Sequence, residues 1–155
     1  MTSLLPQVHR FTLPDKSTAI IRPLRPDDGP RLVEGLRALS SESRRRRFLF
    51  SKGDFSTAEL NYFTHCDGAH HIALVLVETD ADGHEGEFVA VGRSIQDTAD
   101  TSFAEVAIAV ADEWQHHGVG ERLIRALAKV VYHLSPPSSA RVGRQKLIGD
   151  LPTKK

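Results

Sequence analysis

The sequence predicts an α/β (α+β) fold in which a mixed, mainly antiparallel sheet is flanked by helices. Three observations lead to this class. Apolar residues alternate with small or polar ones over residues 105–110, which is the period of a strand. From residue 121 they follow the period of an amphipathic helix. Shorter strand and helix patterns precede this pair, and such a mixed series is typical of one layered domain.

Composition limits the possible partners and compartments. The chain has 155 residues, enough for one domain with a core, and a net charge of zero. A neutral chain has no global basic field, so we expect no nucleic-acid and no membrane partner. Cys66 is the single cysteine, which excludes an internal disulfide and fits a reducing cytoplasm.

The first elements are expected to be a hairpin and a helix. Strands over residues 8–13 and 17–24 can be closed by the turn Pro14-Asp15-Lys16. In the following helix Asp28 is the expected N-cap and Pro30 lies in the first turn. The apolar residues that mark its buried side are Leu32, Val33, Leu36 and Leu39.

An arginine run over residues 44–47 has two interpretations, a nucleic-acid contact or a solvated helical turn. We favour the solvated turn, because the chain is neutral and the run has no interleaved aromatic residues for stacking on bases. Ser56 and Glu59 then form a capping box that opens a short helix through Phe63.

Four residues of metal-binding type follow this helix: His65, Cys66, His70 and His71. A metal site is one interpretation, but the sequence lacks a second ligand pair with zinc spacing. We favour a loop with hydrogen-bonded histidines and expect no metal. Cys66 could serve as an acyl-accepting nucleophile, but without a base at fixed spacing a buried thiol is the better interpretation.

Three strands and a long helix complete the pattern. Residues 71–78, 87–95 and 105–110 are predicted strands, and Gly92 is expected to mark a bulge in the second of them. The helix after residue 120 has one apolar stripe, formed by Leu123, Ile124, Leu127, Val130, Val131 and Leu134. Between the third strand and this helix lies Gln115-His116-His117-Gly118-Val119-Gly120. Glycines permit close backbone approach and the helix N-terminus is positive, so the turn is suited to an anion such as phosphate.

This Gln-x-x-Gly-x-Gly turn, with its strand, its Asp-Glu-Trp lead-in and its helix, resembles motif A of the GNAT acetyltransferases. It lacks the patterns of a P-loop and of a dinucleotide-binding fold. Residues 21–28, IRPLRPDD, resemble the first strand and helix start of GNAT domains. Ser41-Glu42-Ser43 followed by Arg-Phe is similar to the bacterial protein-lysine acetyltransferase branch, which acetylates acetyl-CoA synthetase.

The resemblance implies a co-substrate, acetyl-CoA, and an N-acetyltransferase reaction on a protein lysine or a small primary amine. Backbone amides of the turn would hold the pyrophosphate, the strand would pair with pantetheine, and the Val110 amide would polarise the thioester. The expected cofactor-binding residues are Ile108, Ala109, Val110, Gln115, His116, His117, Gly118, Val119, Gly120 and Glu121.

Glu105 is the expected general base, at the position where the protein-lysine branch carries its proposed base. In a regular strand it shares a face with Ala107 and Ala109, whose small side chains leave room for substrate. Asp112 and Glu113 are weaker candidates, and Trp114 is expected to pack beside the turn.

The GNAT pattern ends after residue 134, so the C-terminal part of the fold is expected to be missing. Residues 1–134 would form the N-terminal two thirds of the domain and residues 135–155 a basic tail led by proline and serine, with at most one short strand. The last strand of the sheet would then have an open edge, covered by a second copy of the chain in a homo-oligomer. The alternative function is an inactive acyl-CoA-binding or regulatory module.

Overall fold

The computed structural model contains one six-stranded sheet whose strand order follows the chain. It describes residues 9–37, 56–68, 70–97, 99, 103–134 and 141–148. The strands are β1 (His9–Thr12), β2 (Thr18–Pro23), β3 (His71–Thr79), β4 (Glu85–Gln96), β5 (Phe103–Val110) and β6 (Arg141–Ile148). The helices within the described residues are α1 (Gly29–Arg37), α2 (Thr57–Thr64) and α3 (Val119–Leu134). Neighbours from β1 to β5 are antiparallel and β5–β6 is parallel, so the predicted mixed, mainly antiparallel class is confirmed.

The two faces of the sheet are covered by different helices. On one face α3 buries Leu123, Leu127 and Val130. On the other, Leu32 of α1 and Phe63 of α2 pack against β2, β3 and β4. The predicted stripe of α3 is thus confirmed where it is described. Leu39, the arginine run 44–47, and the side chains of Leu36 and Leu134 lie outside the described residues.

The β1–β2 hairpin is confirmed, and its turn is closed by backbone hydrogen bonds. The Leu13 amide donates to the Ser17 carbonyl at 2.8 Å and the Lys16 amide to the Leu13 carbonyl at 2.9 Å. Lys16 has a φ of 71°, a left-handed conformation that the tightness of the turn imposes on a non-glycine residue. The Ser56 cap of α2 is also confirmed, since its hydroxyl accepts from the Glu59 amide at 3.1 Å.

Asp28 is not the N-cap that the sequence predicts. A 3₁₀ turn, Pro26–Asp28, precedes α1, and the Asp28 carboxylate accepts from the Arg25 amide at 2.7 Å and from Arg22 at 2.7 and 2.9 Å. Arg22 also donates to Glu85 at 2.8 and 2.9 Å, and Arg31 donates to Glu85 at 2.9 Å. The buried Arg22 guanidinium therefore binds the Asp28 carboxylate and joins β2 to the 3₁₀ turn and to β4, while Arg31 joins α1 to the same Glu85. The hydrogen bond from Arg22 contributes most to lowering the pKa of Glu85 to about 2.

Gly92 does not mark a bulge. The β3–β4 register is unbroken from Ala90 to Ile95, and the irregularity lies near Val77 instead. A Cβ built at Gly92 would lie 2.5 Å from Ile108 Cδ1 and 3.3 Å from Leu123. The glycine is therefore explained by close packing of α3 on the sheet, not by an extra residue in the strand.

The sheet does not end at β5. β6 pairs with it in parallel from Phe103 opposite Arg141 to Ala109 opposite Ile148, with one register shift after Ala104. The prediction of an open edge at β5 is therefore wrong, and the reason for expecting a homo-oligomer no longer holds. A strand with few large apolar residues is sufficient here because pairing uses backbone groups. Among the described residues, no helix is long and apolar enough to cross a bilayer.

Candidate functional site

The segment between β5 and α3 is a compact turn held by its own backbone. A 3₁₀ turn covers Asp112–Trp114. The Trp114 amide donates to the Ala111 carbonyl at 2.9 Å, and the Gln115 amide to the Asp112 carbonyl at 3.3 Å. Trp114 packs partly buried against the α3-side core, as predicted. His117 Nδ1 donates to the Gln115 carbonyl at 2.7 Å, so this side chain folds back on the turn.

The glycines of the turn have different structural roles. Gly118 has a φ of 77°, in the left-handed region that favours glycine, and no heavy atom lies within 4 Å of a Cβ built there. Gly120 is buried in the first turn of α3. His116 has a φ of 65°, a conformation that no motif in the sequence indicates. The chain therefore passes through two left-handed residues immediately before the helix.

The N-terminus of α3 provides directed amide groups. The Arg122 amide is bonded to the Gly118 carbonyl at 3.1 Å. The three amides before it, at Val119, Gly120 and Glu121, therefore have no acceptor within the helix. Together with the positive end of the helix dipole, this geometry suits a phosphate oxygen. The Glu121 side chain is directed to Arg125, at 2.7 Å, and both are exposed.

The end of β5 lies beside this turn. The Ala111 amide donates to the Val89 carbonyl at 2.8 Å. Since polar groups of successive strand residues point to opposite edges, those of Val110 point toward β6. Ile108 lies opposite Leu147 in the β5–β6 pairing. The backbone groups of Ile108, which the sequence predicts to pair with pantetheine, therefore already pair with β6. Val110 is one residue beyond the last register pair.

Glu105 is exposed on β5, and its strand is regular against β4. It therefore shares a face with the buried Ala107 and Ala109, as the sequence predicts. In register it lies between Ile95 of β4 and Arg144 of β6. The strand thus places a solvated carboxylate on the face opposite α3, five positions before Val110.

The histidine side chains of the loop before β3 do not converge on one point. His71 Nε2 lies 2.8 Å from Arg93, whereas His70 Nδ1 lies 3.0 Å from Asp67. Burial raises the pKa of the Cys66 thiol, which disfavours a nucleophilic thiolate. The described residues with ligand atoms close enough for a metal ion are Asp80, Asp82 and His84. These three side chains are exposed. Asp80 Oδ1 already accepts hydrogen bonds from the backbone amides of Asp82 at 2.9 Å and His84 at 2.8 Å.

A cavity of about 540 Å³ beside the turn was not indicated by the sequence. Its lining residues are Pro14, Asp15, Glu78, Glu113, Trp114 and His117. Burial, followed by the charges of Asp15, Glu113 and Glu87, raises the pKa of Glu78. Three carboxylates make this cavity unsuitable for a pyrophosphate, so the amides of the turn are the better anion site.

The fold and the turn together define a domain of the acyltransferase class. The model of the Acetyltransferase (GNAT) family matches residues 36–134, and the chain belongs to this family. It is 34% identical over 107 residues to Acetyltransferase Pat of Mycolicibacterium smegmatis, covering 69% of this chain and 31% of that protein. The chain thus spans about a third of the length of this relative.

Two solved structures extend the comparison. The GNAT domain of S. lividans PAT is 30% identical, with a TM-score of 0.70 over 86% of this chain and 74% of that chain. A cAMP-binding acyltransferase from Mycobacterium smegmatis is 26% identical, with a TM-score of 0.53 over 83% of this chain and 35% of that chain.

Proposed function

We propose that this domain transfers the acetyl group of acetyl-CoA to a primary amine, preferably the lysine of a protein. The observation that carries this proposal is that one strand and the turn after it contain three kinds of group suited to this reaction. These are helix-terminal amides for pyrophosphate, the Val110 amide for a thioester, and the Glu105 carboxylate for a proton. The names of Acetyltransferase Pat and S. lividans PAT support the class of reaction. We place the activity in the cytoplasm, where a single cysteine stays reduced.

In this proposal the turn binds CoA through backbone. The amides of His116 to Glu121 face the pyrophosphate, while the side chains of Ile108 and Val110 pack in the core beneath α3 and take no part in binding. Because β6 occupies the edge of Ile108, we assign backbone pairing with the cofactor to Val110, where it requires the end of β6 to separate from β5. We also include β6 in the catalytic domain, so the domain extends beyond residue 134.

The chemistry requires a neutral amine. A lysine amine has a pKa near ~10.4 and must lose a proton before it attacks. Glu105 accepts that proton directly or through water. The nitrogen then bonds to the thioester carbon, and the Val110 amide stabilises the oxyanion. As the carbon–sulfur bond breaks, the positively charged nitrogen loses a proton to solvent to become the amide, and the departing CoA thiolate takes a proton from solvent.

Calorimetric titration with acetyl-CoA tests the binding site. Gly120→Val adds a branched side chain in the buried first turn of α3 and should weaken binding by about 1–2 kcal/mol or more. Gly118→Ala, at a φ of 77°, should also weaken it. Gly68→Ala is the matched control, because Gly68 has a φ of 75° in the loop before β3. Equal affinities in all folded variants would refute the site.

Turnover with radiolabelled acetyl-CoA and lysine-containing proteins tests the reaction. Label should appear on lysine amines of the acceptor. Tight binding of acetyl-CoA without transfer to any protein or small amine would instead identify an acyl-CoA-binding or regulatory module. That outcome would leave the binding site intact and overturn the proposed activity.

A further inference from the structure

The pairing of β6 with β5 reaches the amide that the proposed reaction uses. Ala109 lies opposite Ile148 in the parallel register. The Ala111 amide donates to β4, so the amide and carbonyl of Val110 point to the edge shared with β6. In a parallel ladder of this register the Val110 amide donates to the Ile148 carbonyl, and the Ile148 amide donates to the Ile108 carbonyl. The group proposed to polarise the thioester therefore already has a backbone acceptor in β6.

On the β5 side, this contact is fixed by several other interactions. The Val110 side chain is buried in the core beneath α3. Its carbonyl accepts from Gln115 Nε2 at 3.1 Å, and the next amide, that of Ala111, donates to the Val89 carbonyl at 2.8 Å. Core packing, the turn and β4 therefore hold Val110 in place, and its position does not depend on β6.

On the β6 side, the contact is held less firmly. Within the described part of the sheet, β6 is the last strand and pairs with β5 alone. Parallel pairs are slightly less stable per residue than antiparallel ones, and strand ends open more readily than strand centres. Ile148 belongs to the last described register pair, and its peptide groups form two hydrogen bonds with β5. The end of β6 can therefore separate while the earlier pairs from Phe103 to Ile108 remain.

We propose that the end of β6 is an internal competitor of acetyl-CoA, in which the Ile148 carbonyl occupies the Val110 amide until the thioester replaces it. A peptide carbonyl and a thioester carbonyl are both acceptors, and one amide aligned with the first is not available to the second. This inference rests on the proposed function, in which the Val110 amide polarises the thioester. The apparent affinity for acetyl-CoA is then reduced by the fraction of molecules in which β6 is closed, and a partner that draws the end of β6 away would raise it.

Hydrogen exchange of single amides, followed by NMR on the full chain, tests the competition in the wild-type protein. Saturating acetyl-CoA should speed exchange at the Ile148 amide by about 10-fold or more, whereas the Lys146 amide, farther from the end of the strand, stays protected. The nucleotide half of CoA without its pantetheine arm is the control ligand and should leave Ile148 protected. Unchanged protection of Ile148 with acetyl-CoA bound would overturn the proposal.

Two proline variants test the same contact by calorimetry. Ile148→Pro removes the amide that bonds to the Ile108 carbonyl and so loosens the end of β6. Leu147→Pro is the matched control, because the Leu147 amide points away from β5 and the hydrogen bonds between the two strands are kept. Ile148→Pro should bind acetyl-CoA about 3- to 10-fold more tightly than the wild type, the change expected for one lost hydrogen bond. Equal or weaker binding would overturn the competition.

The failure of this inference can be distinguished from failure of the proposed function. Without ligand, the Val110 amide should exchange faster in Ile148→Pro than in Leu147→Pro, and equal rates would overturn the contact itself. If neither the wild type nor a variant binds acetyl-CoA, the proposed function fails and the competition fails with it. If the wild type binds acetyl-CoA and Ile148 stays protected, the competition alone is wrong.

Discussion

At the scale of a single residue, the proposed role of Glu105 as general base can be tested by substitution. Glu105→Gln keeps the shape of the side chain and removes its basicity. We expect a loss of roughly 10²- to 10⁴-fold in rate at neutral pH, with acetyl-CoA affinity preserved. The rate should recover partly at high pH, where free amine is abundant. Asp112→Asn and Glu113→Gln are controls, and a near-normal rate in Glu105→Gln would move the base to another group.

Gly92 gives a prediction about packing. Gly92→Ala places a methyl group 2.5 Å from Ile108 Cδ1 and 3.3 Å from Leu123. Overpacking of this kind should lower the free energy of unfolding by about 1–3 kcal/mol, measured by urea denaturation. Gly86→Ala on the same strand is the control, since its nearest neighbour, the Glu78 carbonyl, lies 3.6 Å away. Equal stability of the two variants would contradict this account of Gly92.

The residues of the site could be predicted to different degrees. The period of two places Glu105, Ala107 and Ala109 on one face, and the structure agrees. The side-chain contact of Gln115 with Val110 could not be predicted, because it depends on how the turn folds back. Asp28 shows the opposite problem. Its position fits an N-cap, but the buried Arg22 of β2 binds its carboxylate, a contact that capping rules do not indicate.

At the scale of elements, α2 is held against the sheet by a buried cation. Arg93 is 3% exposed, lies 4.5 Å from the Phe63 ring centre, and donates to His71. Because Arg93 can only donate, His71 Nε2 accepts and the ring is neutral. Burial, followed by the charge of Arg93, lowers the pKa of His71 to about 4, while Asp67 acts in the opposite direction.

This contact predicts an acid-sensitive stability. His71 binds a proton at its ordinary pKa of 6.5 in the unfolded chain but only near 4 in the folded chain. The contribution of this contact to the free energy of unfolding is therefore complete above pH 6.5 and is lost as the pH falls toward 4. The loss should reach about 3 kcal/mol. Thermal midpoints between these pH values measure it.

His71→Gln is the control for that experiment, because its oxygen still accepts from Arg93 and does not titrate. The variant should lose the slope in this window while the acid loss due to Glu85, whose pKa is lowered from 4.5 to about 2, remains at lower pH. An unchanged slope in His71→Gln would assign the effect to another group.

At the scale of the whole molecule, the order of β1–β5 and three helices could be predicted from periodicity and capping. β6 could not, because RVGRQKLI has few large apolar residues and no alternating pattern. Its pairing depends on the position of β5, which is a tertiary property. The composition of this segment predicts a basic tail with at most one short strand, and the structure has an eight-residue strand there.

Removal of residues 135–155 tests the importance of β6. The shortened chain would present the β5 edge, and we expect it to self-associate more than the full chain and to unfold at lower temperature. Light scattering after size exclusion measures the mass. Lys146→Pro in the full chain is the companion variant, since it removes one amide at a register position of β6. A shortened chain that is monomeric and equally stable would show that β6 adds little.

The strand order has a consequence for synthesis of the protein. Because each strand pairs with the one made before it, the sheet can grow at a single edge while the nascent chain leaves the ribosome. Each antiparallel addition can begin once the new strand has emerged. β6 is different, since its parallel pairing needs α3 to cross over the sheet first. The β5 edge therefore stays exposed longest, and slow pairing of β6 would favour association of newly made chains at this edge.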